Sequence, residues 1–117
     1  LHEAVIIHKS GDALQAMGSF FDAVTAQNEK VKYVYGLATD IKFRRKGLCK
    51  RMLIFAKKYF GCPLVLKPQD EKVASMYGKM GFVRLHGSEQ LNITDEIVKA
   101  FHIIDKEDYT KDLMILY

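Results

Sequence analysis

A short basic run, Phe43 to Lys50, is the part of this sequence best suited to bind a ligand. It reads Phe-Arg-Arg-Lys-Gly-Leu-Cys-Lys, so four cations surround one glycine. A glycine lets a ligand approach the backbone closely, and the first N–H groups of a helix lack intrahelical partners and attract anions. The run therefore predicts a site for a phosphate-bearing ligand. Its expected members are Arg44, Arg45, Lys46, Gly47, Leu48, Cys49 and Lys50.

The residues on either side of this run predict a strand before it and a helix after it. Residues 31–37 are rich in β-branched and aromatic side chains and alternate as a mostly buried strand does. From Leu48 onward, the apolar residues recur at helical spacing, and the basic residues take the other side. The predicted apolar face consists of Leu48, Met52, Phe55, Ala56 and Tyr59.

A second strand and a second helix follow. Gly61 is placed to end the first helix, and Pro63 prevents its continuation. Residues 64–67 predict a short buried strand that runs parallel to the first. Asp70 is placed to cap a second helix that ends at Gly81, before a strand at 82–85. The predicted apolar stripe of this helix is Val73, Met76, Tyr77 and Met80.

Two segments of this region resemble the signatures of one protein family. The run 33–40 followed by 43–49 resembles the acetyl-coenzyme A signature of the Gcn5-related N-acetyltransferases, the GNAT family, with the loop pattern Gln/Arg-x-x-Gly-x-Gly/Ala. Arg44 and Gly47 match this pattern, and Cys49 stands where the family has Gly or Ala. Residues 70–82 resemble the pattern Asn-x-x-Ala-x-x-Leu-Tyr-x-Lys-x-Gly-Phe, with Asp70 in place of Asn. Tyr77, Lys79, Gly81 and Phe82 match it.

The resemblance implies an α+β fold with a mixed central sheet flanked by helices, in a single domain over residues 1–117, with the family's N-terminal helices short or missing. It also implies an acetyl-CoA-dependent N-acetyltransferase in which a primary amine attacks the thioester directly. The main chain of Leu37, Ala38 and Thr39 would pair with the pantetheine arm, and Asp70 would contact the same arm. Tyr77 matches the general acid, although a core tyrosine on the apolar stripe would look the same.

Composition and charge limit the other classes of function. The net charge is +4, and the basic residues concentrate at 42–58, a distribution that also suits nucleic acid or a solvated helix face. Cys49, Cys62 and the four histidines show no metal-ligand spacing, so we expect no metal and a reduced compartment. The sequence contains no apolar run near the roughly 18 residues of a membrane helix, and we expect a cytoplasmic protein without a membrane partner.

The remaining segments predict structure more than chemistry. Residues 4–8 and the turn at 9–12 suggest a hairpin, and 13–26 fit a strand better than a helix. In the tail, 94–101 predict a helix and 112–117 a closing strand.

Several functional questions stay open at this level. The acceptor is a small-molecule or peptide amine, no general base is identified, and a homodimer is left open. A catalytically silent acetyl-CoA sensor is one alternative function, and a nucleic-acid module, which we do not expect, is another.

Overall fold

The computed structural model describes residues 3–40, 47–85 and 91–117. They form one six-stranded mixed sheet with strand order β1-β2-β3-β4-β6-β5, and helices pack against it. The strands are β1 (Glu3–Ser10), β2 (Ala13–Val24), β3 (Lys30–Thr39), β4 (Leu64–Leu66), β5 (Val83–Arg84) and β6 (Met114–Leu116). The helices are α1 (Leu48–Phe60), α2 (Glu71–Lys79), α3 (Asp95–Phe101) and α4 (Lys106–Thr110). The predicted fold class, an α+β protein with a mixed sheet flanked by helices, is confirmed.

The N-terminal third is an antiparallel meander. β1 pairs with β2, and β2 pairs with β3, both antiparallel. Gly11 makes the first turn with φ 60°, a conformation that L side chains rarely adopt. The predicted hairpin and the strand interpretation of 13–26 are therefore confirmed.

The central part is a β-α-β unit followed by a second helix. β3 and β4 are parallel, as predicted, and α1 connects them. Gly61 ends α1 in the left-handed conformation, and its N–H donates to the carbonyl of Lys57. Asp70 begins α2, because its carboxylate accepts the N–H of Val73 at 2.8 Å. Both predicted caps are confirmed.

Two cores lie on opposite faces of the sheet, because successive strand residues point to opposite sides. One core, which we call the α1/α2 core, joins both helices to residues such as Phe20, Val34 and Leu66. The other, the α3/α4 core, joins Val65 and Ile115 to α3 and α4. The helix predicted at 94–101 and the closing strand are confirmed, whereas α4 was not predicted from the sequence.

The predicted apolar faces of both helices were partly wrong. On α1, Phe55 and Tyr59 are 54% and 70% exposed, and Leu53 is fully buried in their place. On α2, Met76 is exposed and Ala74 is buried. On each helix, the predicted and the observed buried faces share the residues at the centre of the stripe and differ at its edges. Spacing along the sequence therefore does not determine where the buried face ends.

β3 carries a bulge that the alternation pattern did not predict. Ser19 of β2 pairs with Gly36, and the next β2 residue, Phe20, pairs with Val34, so Tyr35 is an extra residue on β3. Tyr35 belongs to the run 31–37 that was predicted to be mostly buried, but it is about half exposed, with its ring stacked on Phe101 at 4.4 Å between centroids. Separately, none of the helices in the described ranges is long and apolar enough to cross a membrane.

Candidate active site

The parallel strands β3 and β4 are paired only over a short stretch, because β4 ends at Leu66. Their ladder runs from Lys32–Leu64 to Val34–Leu66 and ends there. β3 continues to Thr39 alongside β2, while the chain after β4 turns away into α2. Among the described residues, no strand is paired with the β4 side of β3 beyond Val34. The backbone of β3 beyond Val34 therefore forms an edge that no described strand covers on the β4 side, and we call this edge, with the start of α1 that follows it, the β3/β4 cleft.

The helix that follows β3 begins without a side-chain cap. Gly47 is the N-cap residue, with φ 74°, and as a glycine it supplies no side-chain cap to the start of α1. Among the described residues, no atom lies within 4 Å of the position that a Cβ at Gly47 would take. The first turn carries no acidic residue. A helix start without a side-chain cap or an acidic first turn offers its first N–H groups and the positive end of its dipole to an anion.

Tyr77 of α2 reaches the first turn of α1. It is 8% exposed, and its ring packs against Phe82 with 5.4 Å between centroids. Its hydroxyl is hydrogen-bonded to the thiol of Cys49. Burial, with a smaller contribution from Cys49, raises the pKa of Tyr77 to about 12. Burial also raises the pKa of the Cys49 thiol, and the hydrogen bond from Tyr77 opposes that rise.

The structure brings several of the sequence-predicted site residues together and leaves others apart. Leu37, Leu48, Cys49 and Tyr77 all belong to, or pack against, the α1/α2 core. Ala38 and Thr39 lie at the end of β3 and line a small cavity of about 230 Å³ with residues of β2. Lys50 is exposed on α1.

The other predicted site residues are Asp70 and the three cations Arg44, Arg45 and Lys46. Asp70 lies at the start of α2, where its carboxylate is engaged by the N–H of Val73. Tyr77 lies about two turns further along the same helix. Arg44, Arg45 and Lys46 lie outside the described residues.

A further cavity lies at the other end of α1. It measures about 840 Å³ and is bounded by the start of β3, the end of α1 and the start of α3. Lys32 in its wall is already paired with Asp22 and lies over the ring of Phe60, 4.5 Å from the ring centroid. We place the candidate site at the β3/β4 cleft instead, because the uncapped helix start and Tyr77 are there.

Solved structures share this architecture over nearly the whole chain. The N-acetyltransferase YlbP of Bacillus subtilis, in complex with coenzyme A, superposes on 97% of the chain with a TM-score of 0.63 and 18% identity. GCN5 of Tetrahymena covers 99% with a TM-score of 0.65 and 19% identity. The GNAT family N-acetyltransferase YhbS of Escherichia coli, in complex with CoA, covers 95% with a TM-score of 0.62 and 15% identity.

The chain has the GNAT fold. The resemblance stated from the sequence motifs is confirmed at the level of fold by these structures. The chain spans 66% of the length of YlbP, 68% of GCN5 and 56% of YhbS. No protein-family model matches the sequence, and no curated protein matches it.

Two features of this GNAT-fold site were missed by sequence reasoning. Cys49 was assigned only to the anion site, and its contact with Tyr77 joins two helices that are far apart in sequence. The bulge at Tyr35 was hidden because the residues around it keep the composition of a regular strand. A glycine at position 36 was a weak signal, since glycine inside a strand often marks a bulge.

Proposed function

We propose that this protein transfers the acetyl group of acetyl-CoA to a primary amine by direct attack of the amine on the thioester. The observation that carries the proposal is the β3/β4 cleft, with the open, uncapped start of α1 at Gly47 and the hydroxyl of Tyr77 close to that start. Coenzyme A needs these features: a backbone edge for its amide-containing arm and an anion site for its pyrophosphate. The GNAT fold and the CoA-bound structures that share it support the same proposal.

Backbone groups do most of the cofactor binding in this proposal. The main chain of Leu37, Ala38 and Thr39 pairs with the pantetheine arm as an added strand would. The pyrophosphate lies over residues 44–50, where helix N–H groups and cations supply donors and positive charge. Asp70 accepts an N–H of the arm, because a carboxylate has lone pairs left after it binds Val73.

Tyr77 acts as the general acid in the proposed reaction. Its raised pKa keeps the phenol protonated at every physiological pH, so it always offers a proton to the departing sulfur. The amine nitrogen forms the new bond to the acetyl carbon, the carbon–sulfur bond breaks, and the nitrogen loses a proton as the sulfur gains one. A backbone N–H near the end of β3 stabilises the oxyanion. A water chain removes the amine proton, since no side chain is assigned as the base.

The acceptor is an amine on a small molecule or a peptide. The basic residues of 42–58 are assigned to the pyrophosphate and to solvent, so the proposal includes no nucleic acid. The most informative acceptor experiment is a panel of amines in a thiol-release assay, because no side chain in the described ranges is assigned to the choice of one amine.

Calorimetry with acetyl-CoA tests the cofactor site. Gly47→Glu places an anion in the anion site, and we expect binding to fall below detection or by at least about tenfold. Gly61→Glu is a matched control, because Gly61 has nearly the same φ, 66°, and equally open surroundings at the other end of the same helix. It reproduces the backbone strain without the nearby charge. Unchanged affinity in Gly47→Glu, or an equal loss in both variants, would show that the site is elsewhere.

A catalytically silent acetyl-CoA sensor is the second candidate function. The observation that favours it is the inward position of Tyr77, which is buried and hydrogen-bonded to Cys49. A sensor would bind acetyl-CoA with the same sensitivity to Gly47→Glu and release no thiol with any amine of the panel. Amine-dependent thiol release above the hydrolysis background would exclude it.

A further inference from the structure

Three aromatic rings are stacked in a column on the α3/α4 side of the sheet. Phe101 of α3 lies between Tyr33 and Tyr35 of β3, with 5.4 Å and 4.4 Å between centroids and interplanar angles of 25° and 12°. Phe21 of β2 meets Phe101 and Tyr35 edge-on. Tyr33 is buried at the inner end of the column, and Tyr35 is 52% exposed at the outer end. Among the described residues, one face of the Tyr35 ring is covered by Phe101, and the other face suits a further flat group.

The bulge in β3 places a residue without a side chain next to this ring. Because Tyr35 is the extra residue, it lies on the same face as Gly36, and the alternation resumes at Leu37, which packs against the α1/α2 core. Gly36 and Ala38, the next residue on the α3/α4 side, are exposed. No described atom lies within 4 Å of the position that a Cβ at Gly36 would take. We call this space, with the Tyr35 ring at one end and Ala38 at the other, the Gly36 recess.

The Gly36 recess leads to the part of β3 that the proposed function assigns to the thioester arm. Ala38 also lines the cavity of about 230 Å³ at the end of β3, together with Met17 of β2. A strand rises about 3.3 Å per residue, so Tyr35 and Ala38 are roughly 10 Å apart along β3. A flat ring joined to an amine by a short alkyl chain fits this length, with the ring at Tyr35 and the amine near Ala38.

The opposite side of the sheet is occupied by packed side chains. Leu37, Cys49 and Tyr77 belong to, or pack against, the α1/α2 core there. An acceptor that attacks a thioester held along β3 therefore approaches from the α3/α4 side, where the Gly36 recess lies. The proposed general acid and the acceptor then stand on opposite sides of the thioester.

We propose that the Gly36 recess binds the acceptor and selects a primary amine that carries an aromatic ring on a short alkyl chain. The ring stacks on Tyr35, and the amine faces the thioester. This inference rests on the proposed acetyl transfer and adds the class of acceptor to it.

The charge near the column favours a neutral ring over a second ammonium group, although an aromatic face can bind either. Lys67 lies two residues beyond Val65, the partner of Tyr33 in the parallel ladder. Its Nζ donates to the carbonyl of Tyr109 and lies 5.2 Å from the centroid of that ring. A positive charge is therefore already fixed on this side of the sheet, and it disfavours a diamine.

A thiol-release assay with phenethylamine and ethylamine tests the choice of acceptor. We expect kcat/KM of the wild type to be higher for phenethylamine by about tenfold or more, and higher than for a diamine of similar length. Tyr35→Ala removes the ring, and Gly36→Leu fills the recess without strain, because Gly36 does not have a positive φ. Each should lower the phenethylamine-to-ethylamine ratio by about tenfold, whereas Tyr35→Phe keeps the ring and should change it less than about twofold.

Tyr59→Ala is the matched control for Tyr35→Ala. Tyr59 is also an exposed tyrosine in a stacked pair, with 5.8 Å between its centroid and that of Phe55, but it lies on α1. Its removal should leave the ratio unchanged. A melting temperature for each variant shows that it is folded.

A binding measurement separates failure of this inference from failure of the proposed function. Calorimetry of phenethylamine in the presence of excess CoA reports on the recess without catalysis. Binding that Tyr35→Ala and Gly36→Leu weaken, with no thiol release from any amine, would support the recess and overturn acetyl transfer. Thiol release with a ratio that ignores both variants would overturn the recess and leave acetyl transfer standing. The recess is also overturned if phenethylamine does not bind, or if Tyr35→Ala lowers only the melting temperature, since the ring would then be a packing group.

Discussion

Two tyrosines, one in each core, are buried and have raised pKa values, yet their surroundings differ. Tyr33 of the α3/α4 core is hydrogen-bonded through its hydroxyl to the hydroxyl of Tyr109 and stacks on Phe101 at 5.4 Å. Tyr109 in turn is held by Lys67, whose Nζ donates to its carbonyl at 2.9 Å. Tyr77 of the α1/α2 core has the thiol of Cys49 as its polar partner among the described residues, and sulfur is a weak acceptor.

The two tyrosines differ in how strongly their hydroxyls are held, which is the difference that the proposed role of Tyr77 as general acid requires. Tyr33 of β3 is hydrogen-bonded to Tyr109 of α4, which is in turn bound by Lys67 just after β4. Displacing the hydroxyl of Tyr33 would therefore break its contact with a residue that is itself held in place. In the proposed reaction, the hydroxyl of Tyr77 would leave a weak sulfur partner for the sulfur of the bound thioester, at little cost. Burial and a raised pKa are common to both residues, and the strength of the partner distinguishes them.

The largest expected effect is on turnover in Tyr77→Phe. This change removes the hydroxyl and keeps the ring that packs on Phe82, so we expect kcat to fall by about 10² to 10⁴ in the manner of a lost general acid. Affinity for acetyl-CoA and the melting temperature should stay nearly constant. The measurement is a thiol-release assay with an amine that supports turnover. Full activity in this variant would place Tyr77 in the same structural class as Tyr33.

Tyr33→Phe should show the opposite result. It leaves the hydroxyl of Tyr109 without its partner, and we expect the free energy of unfolding to fall by about 1 to 3 kcal/mol in urea titrations, with kcat nearly unchanged. The pH dependence follows from its raised pKa. The folded state holds the phenol proton above the ordinary pKa of about 10, so that contribution to stability is present below pH 10 and is lost at higher pH. Tyr33→Phe should therefore lose less stability than the wild type on going to alkaline pH. An equal alkaline loss would contradict the burial argument.

A smaller effect is expected in Cys49→Ala, which sharpens the comparison by removing the sulfur partner. The hydrogen bond to Cys49 contributes to the raised pKa of Tyr77, so its loss should move the basic limb of the kcat profile to lower pH. We expect only a few-fold change in kcat at neutral pH. Cys62→Ala is the control, because Cys62 lies beside the cavity at the other end of α1. Identical pH profiles for wild type and Cys49→Ala would mean that the thiol does not act on Tyr77.

The smallest effect is expected in the double variant Lys57→Glu, Lys58→Glu. These cations lie near the end of α1, roughly 15 Å from Gly47 at 1.5 Å per residue, which exceeds the Debye length of about 8 Å at physiological salt. Affinity for acetyl-CoA should change less than about twofold, whereas Lys50→Glu in the first turn should weaken it more. A large loss of affinity in the double variant would indicate that acetyl-CoA is attracted by a diffuse basic surface on the face of the sheet that carries Tyr77.

Local patterns were sufficient to predict most of the elements of this fold. Gly61, Pro63 and Asp70 act on the backbone next to them. The C-terminal end of α1 and the start of α2 were therefore predictable from these residues and their positions in the sequence. The alternation of 31–37 and the spacing after Leu48 predicted β3, α1 and their order. The motif resemblance added the fold, which the solved structures confirm.

Contacts between distant segments were decided only by the tertiary structure. The buried arc of α1 includes Leu53 and excludes Phe55, because the sheet beneath it covers one side of the stripe and not the other. The bulge at Tyr35 depends on the register with β2, and the thiol of Cys49 meets Tyr77 because α1 and α2 pack on the same face. Spacing along one chain segment determines which residues share a face. Packing against other segments determines which of them are buried and what they touch.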